Sequence, residues 1–317
     1  MTTIKFGIQI ENQFGFDFDS LKEIAIHLEN KKYDSFWTCD HFFMNIRSQK
    51  KNAIEAYTML SAISQVTSKL LLGTLVTSMS YREPSVLAKI ISSLDHISKG
   101  RTIIGLGAGW KEIEYNAYGI RFPPLKERMD RLEEGTQIII KMMTEEEPTF
   151  SGHYYKIEKA FNSPKPYNGI PPILIGGTGE KRTLKFVSKY ADMSNFGYWE
   201  IDRARHLLDV LQEHCKKQNR NYNDITKTFY GEAFVAETEK ELDQYIAKVA
   251  ERYHTTPDKI KQSFSSHPGS FIGYPEEVIE RYRFLADMGF EHFQIVFPYK
   301  KEIEMSTRFA DQVIKKL

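Results

Sequence analysis

The chain has 317 residues, and 43 Lys and Arg against 42 Asp and Glu leave a formal net charge of +1. That balance argues against a binder of nucleic acid or of an anionic membrane surface that works by bulk electrostatics. With 41% hydrophobic, 27% charged and 13% aromatic residues, the composition is that of an ordinary globular protein with ample material for a core, and disorder is not expected.

Two cysteines occur, Cys39 and Cys215. They are far apart and belong to no CxxC or Cys/His cluster, so neither a disulfide framework nor a metal site is expected, and a reducing cytoplasm is the default. The N-terminal stretch MTTIKFGIQIEN lacks the apolar segment of a secretory signal. No run approaches the roughly 18 apolar residues of a membrane helix. The expectation is a soluble cytoplasmic protein with no membrane partner.

In chain order, strand-like apolar stretches fall near residues 4–10, 35–39, 70–77, 102–106, 172–176, 192–196, 228–235 and 292–297. Several are apolar on both faces, as in buried parallel strands. Helical patterns separate them. Ser20 with Glu23 reads as a capping box before Leu21, Ile24, Ala25 and Leu28. Pro84 opens a helix carrying Val86, Leu87, Ile90, Ile91, Leu94 and Ile97 and stopping at Gly100. Further helices are predicted over 126–144, over 180–190 and from Pro275 to Gly289. Such β-α alternation permits an open doubly wound sheet or a closed barrel, and eight strands favour a (βα)8 TIM barrel. We read residues 1–317 as one barrel domain with insertions near 107–171 and 237–290 at the C-terminal rim.

Barrel chemistry sits at the C-terminal ends of the strands. The second strand ends in Asp40-His41. A carboxylate there can accept a hydrogen bond, and an imidazole titrates near neutrality and can move a proton; for such a pair taken alone, a simple loop cap is the better explanation. The third strand runs through Thr74 and Leu75, small and β-branched residues that suit either packing or the approach of a flat ring. The fourth ends Gly105-Leu106-Gly107-Ala108-Gly109-Trp110. The third glycine of a dinucleotide fingerprint is missing, which rejects a Rossmann reading and leaves close approach of a planar ligand or a tight turn. The fifth ends Gly176-Gly177-Thr178-Gly179 before a predicted helix, where backbone N–H groups suit a phosphate, with a plain glycine-rich turn from strand to helix as the alternative. It is not a P-loop, because GK[ST] is absent. HExxH and GxSxG are absent too, so metal and serine hydrolases find no support.

Taken together, KFGIQ, YDSFWTCDHF, LLLGTLVTSMSYREP, LDHISKGRTIIGLGAGWKEIEYNAYGIRFP, PPILIGGTGEKRTLKFVSKYADMSNF and FIGYPEEVIERYRFLADMGFEHFQIVFP resemble the luciferase-like monooxygenase superfamily, and in particular its branch dependent on the deazaflavin coenzyme F420. The resemblance implies a (βα)8 barrel and hydride transfer to or from a flavin or deazaflavin in its mouth. It implies that Asp40 and His41 contact the ring and face the substrate, with His41 the proton donor or acceptor. Thr74-Leu75 would match a bulge, often a non-prolyl cis peptide, that backs the ring. Gly107 and Gly109 would flank the ring or its ribityl chain, Gly176, Gly177 and Thr178 would hold the phosphate, and Asn195 would lie near ring or substrate. Family members that oxidise sugar phosphates carry a glutamate where this chain has Trp110 and an aromatic residue where it has Asn45, so that activity is not expected unless Glu112 or Glu114 supplies the acid. The expected function is F420-dependent oxidoreduction of a small organic molecule. FMN-dependent monooxygenation and non-catalytic flavin binding are the alternatives, and the resemblance makes a homodimer the common assembly.

Overall fold

The computed structural model describes residues 4–45, 50–252, 254–266 and 271–317. Residues 1–3 and 46–49, and 253 and 267–270 within the expected excursion at 237–290, lie outside the described residues.

The chain opens with β1 (Lys5–Ile10), α1 (Phe18–Asn30), β2 (Ser35–Thr38), α2 (Ala56–Ser64), β3 (Leu71–Thr74), the short β4 (Thr77–Ser78), α3 (Pro84–Ser98) and β5 (Thr102–Gly107). The first long excursion holds α4 (Glu112–Ala117), α5 (Leu125–Thr144) and an antiparallel pair, β6 (Phe150–Ser151) with β7 (Lys156–Ile157). Then come β8 (Ile173–Gly176), α6 (Thr183–Tyr190), β9 (Met193–Gly197), α7 (Ala204–Lys217) and β10 (Thr226–Val235). The second excursion holds α8 (Glu239–Arg252), α9 (Pro257–Ser266), β11 (Phe271–Gly273) and α10 (Pro275–Asp287), and β12 (Phe290–Val296) and α11 (Glu302–Gln312) finish the chain.

Parallel pairings run β1 to β2, β3, β5, β8, β9, β10 and β12, and β12 pairs back with β1. The sheet is therefore the closed (βα)8 TIM barrel expected from the alternation. Inside it, Trp37 fills the bore with Ile103, Leu174 and Met193, and Leu71, Leu75 and Val76 pack against that plug. Glycine at 7 and 73 makes room for the indole, since a Cβ at either position would come within 2.7 Å or less of Trp37 ring atoms. Above this plug, a cavity lies at the C-terminal ends of the strands.

Local details depart from expectation where side-chain geometry overrides the motif. Helix α1 starts a residue before Asp19, capped by Asp17, which accepts the Ser20 N–H at 2.8 Å; Ser20 is inside the helix and the Ser20–Glu23 box is not the cap. A capping box does open α10, between Tyr274 and Glu277. On α3 the buried residues include Leu87, Ile91 and Leu94, whereas Val86 and Ile97 are exposed, because they lie off the stripe that meets the sheet. Helix α6 begins at Thr183, three residues later than expected, with Thr178 to Arg182 forming a loop and turn. No helix among the described residues is long and apolar enough to cross a membrane.

Candidate active site

A cavity of about 1390 Å³ occupies the barrel mouth. Its wall takes residues from successive strand ends: Glu11 after β1, Cys39 to His41 after β2, Leu75 and Val76 between β3 and β4, Gly107 to Lys111 after β5, Gly176 to Thr183 after β8, Asn195 and Tyr198 to Glu200 at β9, and Tyr230 on β10. Of the residues expected at the site, all but Thr74 border it.

His41 is held from behind. Its Nδ1 lies 2.7 Å from Glu114 Oε2, and Glu114, fully buried on α4, also accepts the Phe42 and Phe43 backbone N–H groups at 2.8 and 2.9 Å and the Tyr81 hydroxyl at 3.0 Å. Burial opposes the charge on this carboxyl, but the His41 hydrogen bond, the His41 charge, the Phe43 N–H and Lys111 outweigh it and hold its pKa below the usual value. A carboxylate can only accept, so Nδ1 carries the proton and Nε2 is the nitrogen left for chemistry. Glu114 is thus enclosed behind the imidazole and is no free proton donor, while Glu112 is exposed on α4 and does not border the cavity. The Trp110 ring meets His41 edge-on, centroids 5.7 Å apart.

Asp40 is buried and bidentate to Arg82, with Nη1–Oδ2 at 2.6 Å and Nη2–Oδ1 at 2.9 Å; Arg82 also reaches Glu55 at 2.6 Å. Burial pushes the Asp40 pKa up in spite of the guanidinium. Both its oxygens are therefore committed to Arg82, and its first task is to brace the loop that carries His41.

The expected bulge is present one residue later than expected: the non-prolyl cis peptide joins Leu75 and Val76, not Thr74 and Leu75. Leu75 and Val76 form the floor of the cavity above the Trp37 plug. Thr74 lies one layer behind, donating to the Gly105 carbonyl at 3.1 Å and accepting from Thr77 Oγ1 at 2.9 Å. Gly107 and Gly176 flank Val76; a Cβ on them would come to 2.6 and 3.0 Å from its methyl groups. Gly109, at φ +74°, faces Ser78 and Tyr115 so closely that a Cβ would collide with their hydroxyls. These glycines shape the floor by admitting neighbouring side chains.

In the loop after β8, Gly177 adopts φ +106°, and a Cβ there would meet only Thr183 Cγ2 at 3.6 Å. Its N–H donates to Asn195 O at 3.4 Å, while the N–H groups of Thr178, Gly179 and Glu180 donate to no other group among the described residues. Thr178 Oγ1 instead donates to Glu200 Oε1 at 2.8 Å. Open donors beside a glycine with positive φ fit an anionic phosphate. Asn195 donates to Thr228 Oγ1 and Gln294 Oε1 at 2.8 and 3.0 Å, which fixes its amide at the wall.

Several wall residues were not singled out in the sequence. Lys111 is buried, its Nζ donating to Phe43 O at 2.8 Å, and burial pushes its pKa down. Glu11 accepts from the Tyr230 hydroxyl at 3.3 Å. Burial, reinforced by Glu11, pushes the Cys39 thiol up, so it is a neutral lining group. Lys111 directly follows Trp110 in the GAGWKEIE segment, and that adjacency was the one signal for it. Glu11 and Tyr230 carried none.

A profile of luciferase-like monooxygenases matches residues 2–292. The chain belongs to the luciferase-like monooxygenase family. An F420-dependent glucose-6-phosphate dehydrogenase of Kineococcus radiotolerans is 31% identical over 216 residues, which is 66% of this chain and 61% of that protein. One of the same name from Amycolatopsis mediterranei is 23% identical over 94% of each chain. Among solved structures, an F420-dependent secondary alcohol dehydrogenase in complex with an F420–acetone adduct superposes with a TM-score of 0.82 at 18% identity over 98% of each chain, a likeness of fold.

Proposed function

We propose that this luciferase-like protein is an oxidoreductase that takes coenzyme F420 in the barrel mouth and exchanges a hydride with a small organic substrate. The observation that carries the reading is the pairing of His41 Nδ1 with buried Glu114 at 2.7 Å beside a shelf made by Leu75 and Val76; the names of its relatives point the same way. Val76 with Gly107 and Gly176 would support the ring, and the loop from Gly177 to Glu180 would hold the phosphate. Bound there, the coenzyme supplies or accepts the hydride.

The chain's own residues do the rest. Glu114 locks the imidazole so that Nε2 is a base when His41 is neutral and an acid when it is protonated, which lets one residue serve either direction. Leu75, Val76 and Trp110 give that side of the mouth an apolar lining. Trp110 and Trp199 are 66% and 65% exposed, so large aromatic faces are presented to the cavity. With Trp110 in place of the glutamate of the sugar-phosphate branch, the mouth suits an apolar or planar carbonyl, alcohol or imine better than a sugar phosphate.

A panel of cyclic enones, alcohols, aldehydes and imines, followed by F420 absorbance, tests this. Once a substrate is found, His41→Ala is expected to lower turnover about 10²–10⁴-fold with little change in F420 affinity. Turnover near the parent rate would remove His41 from the chemistry.

A further inference from the structure

Around the loop expected to hold the phosphate, the two arginines are already paired, while Lys181 borders the cavity as an exposed cation. Arg182 Nη2 lies 2.5 Å from Asp130 Oδ1, and Arg203 rests against Glu180. Within the loop itself the Thr178 hydroxyl points at a carboxylate, Glu200 Oε1, at 2.8 Å. The other oxygen of Glu200 has Arg203 Nη1 only at 3.8 Å, and its side chain is 17% exposed. A half-closed carboxylate one hydroxyl away from the open N–H groups of residues 178–180 is an unusual feature for a phosphate cradle. It costs affinity for any anion, and more for each additional negative charge.

Resting on the reading of this cavity as an F420 site, we infer that Glu200 sets cofactor choice by charge. A phosphodiester, as in F420, brings one negative charge; a phosphomonoester, as in FMN, brings nearly two at neutral pH. Both can use the backbone donors, but only the monoester places a second charge beside Glu200. The hydroxyl of Thr178 links the two, since it can donate to Glu200 or to the phosphate but not fully to both. Glu200 therefore acts as a repulsive element against the wrong cofactor.

The test titrates purified protein with F420, FMN and riboflavin, read by flavin and tryptophan fluorescence, in the parent and in Glu200→Gln. The glutamine keeps an oxygen for Thr178 and removes the charge. Expected is a gain in FMN affinity of at least about tenfold, the screened effect of one unit charge a few ångströms away, with F420 gaining less and uncharged riboflavin unchanged. Equal shifts for FMN and riboflavin, or none for FMN, overturn the assignment to Glu200. If the parent binds neither F420 nor FMN, it is the reading of the cavity that fails, and this inference with it.

Discussion

Replacing Glu114 by glutamine isolates what the carboxylate does for His41. The side chain keeps its shape, and its carbonyl can still accept the Phe42 and Phe43 N–H groups, now at 2.8 and 2.9 Å from Oε1. Its amide nitrogen then faces His41 Nδ1 and the Tyr81 hydroxyl, in place of Oε2 at 2.7 and 3.0 Å. Because an amide N–H donates, Nδ1 must accept and the ring proton moves to Nε2, which is the wrong tautomer for a base. Turnover is expected to fall about 10²–10⁴-fold. Stability falls less, by about 1–3 kcal/mol, since charge-assisted bonds become neutral ones while the cost of a buried charge disappears. The sign with pH follows from the depressed pKa of Glu114. Its contribution is complete above the unfolded value of about 4.5 and is lost as pH falls through the lower folded value, so parent and variant converge in acid. Urea unfolding at several pH values and a pH–rate profile read both effects. A folded Glu114→Gln protein with parental turnover would refute the positioning role.

Three further outcomes follow from the geometry. Asp40→Ala leaves Arg82 with Glu55 alone and is expected to lower stability by about 2–4 kcal/mol in urea titration, before any effect on cofactor affinity; a loss of F420 binding at unchanged stability would return Asp40 to the ligand. Gly177→Val forces a β-branched residue to φ +106° and so strains the loop from which the N–H groups project, so F420 affinity should drop at least about tenfold with an unchanged circular dichroism spectrum; unchanged affinity would move the phosphate elsewhere. His292 lies in the barrel wall, its Nε2 2.8 Å from Ser35 Oγ, and burial pushes its pKa down to about 3. The unfolded chain therefore takes up this proton first, and stability falls by as much as about 1.4 kcal/mol per pH unit below about 6.5 until the folded value is reached. His292→Gln should flatten the loss between pH 6 and pH 4, and an unchanged slope in urea midpoints would assign the loss to other groups.

The barrel was legible because buried parallel strands write themselves as short apolar runs, and all eight are present within a few residues of their expected ends. The small pair β6 and β7 and the added strand β11 were not, being too short for any periodicity. At the site, the strand-end rule found His41 and the glycine loops because both depend on local chain direction. It could not find the partner of His41, since Glu114 is 73 residues away and only the sheet order β2, β3, β5 brings the segment after β5 to the end of β2. For the same reason Asp40 read as a ligand, its capture by Arg82 across 42 residues being invisible. The bulge was displaced by one residue because Thr74 and Val76 are alike in the strand pattern; packing separates them, with the Thr74 hydroxyl bonded to the wall and Val76 fitted between Gly107 and Gly176.

On the proposed function, the cavity takes one deazaflavin and holds its single phosphodiester. Calorimetric titration of the purified protein with F420 and with FMN is the direct measurement. Micromolar or tighter binding of F420 at one site per chain, with FMN weaker, is the predicted result; micromolar binding of FMN with none of F420 would contradict it.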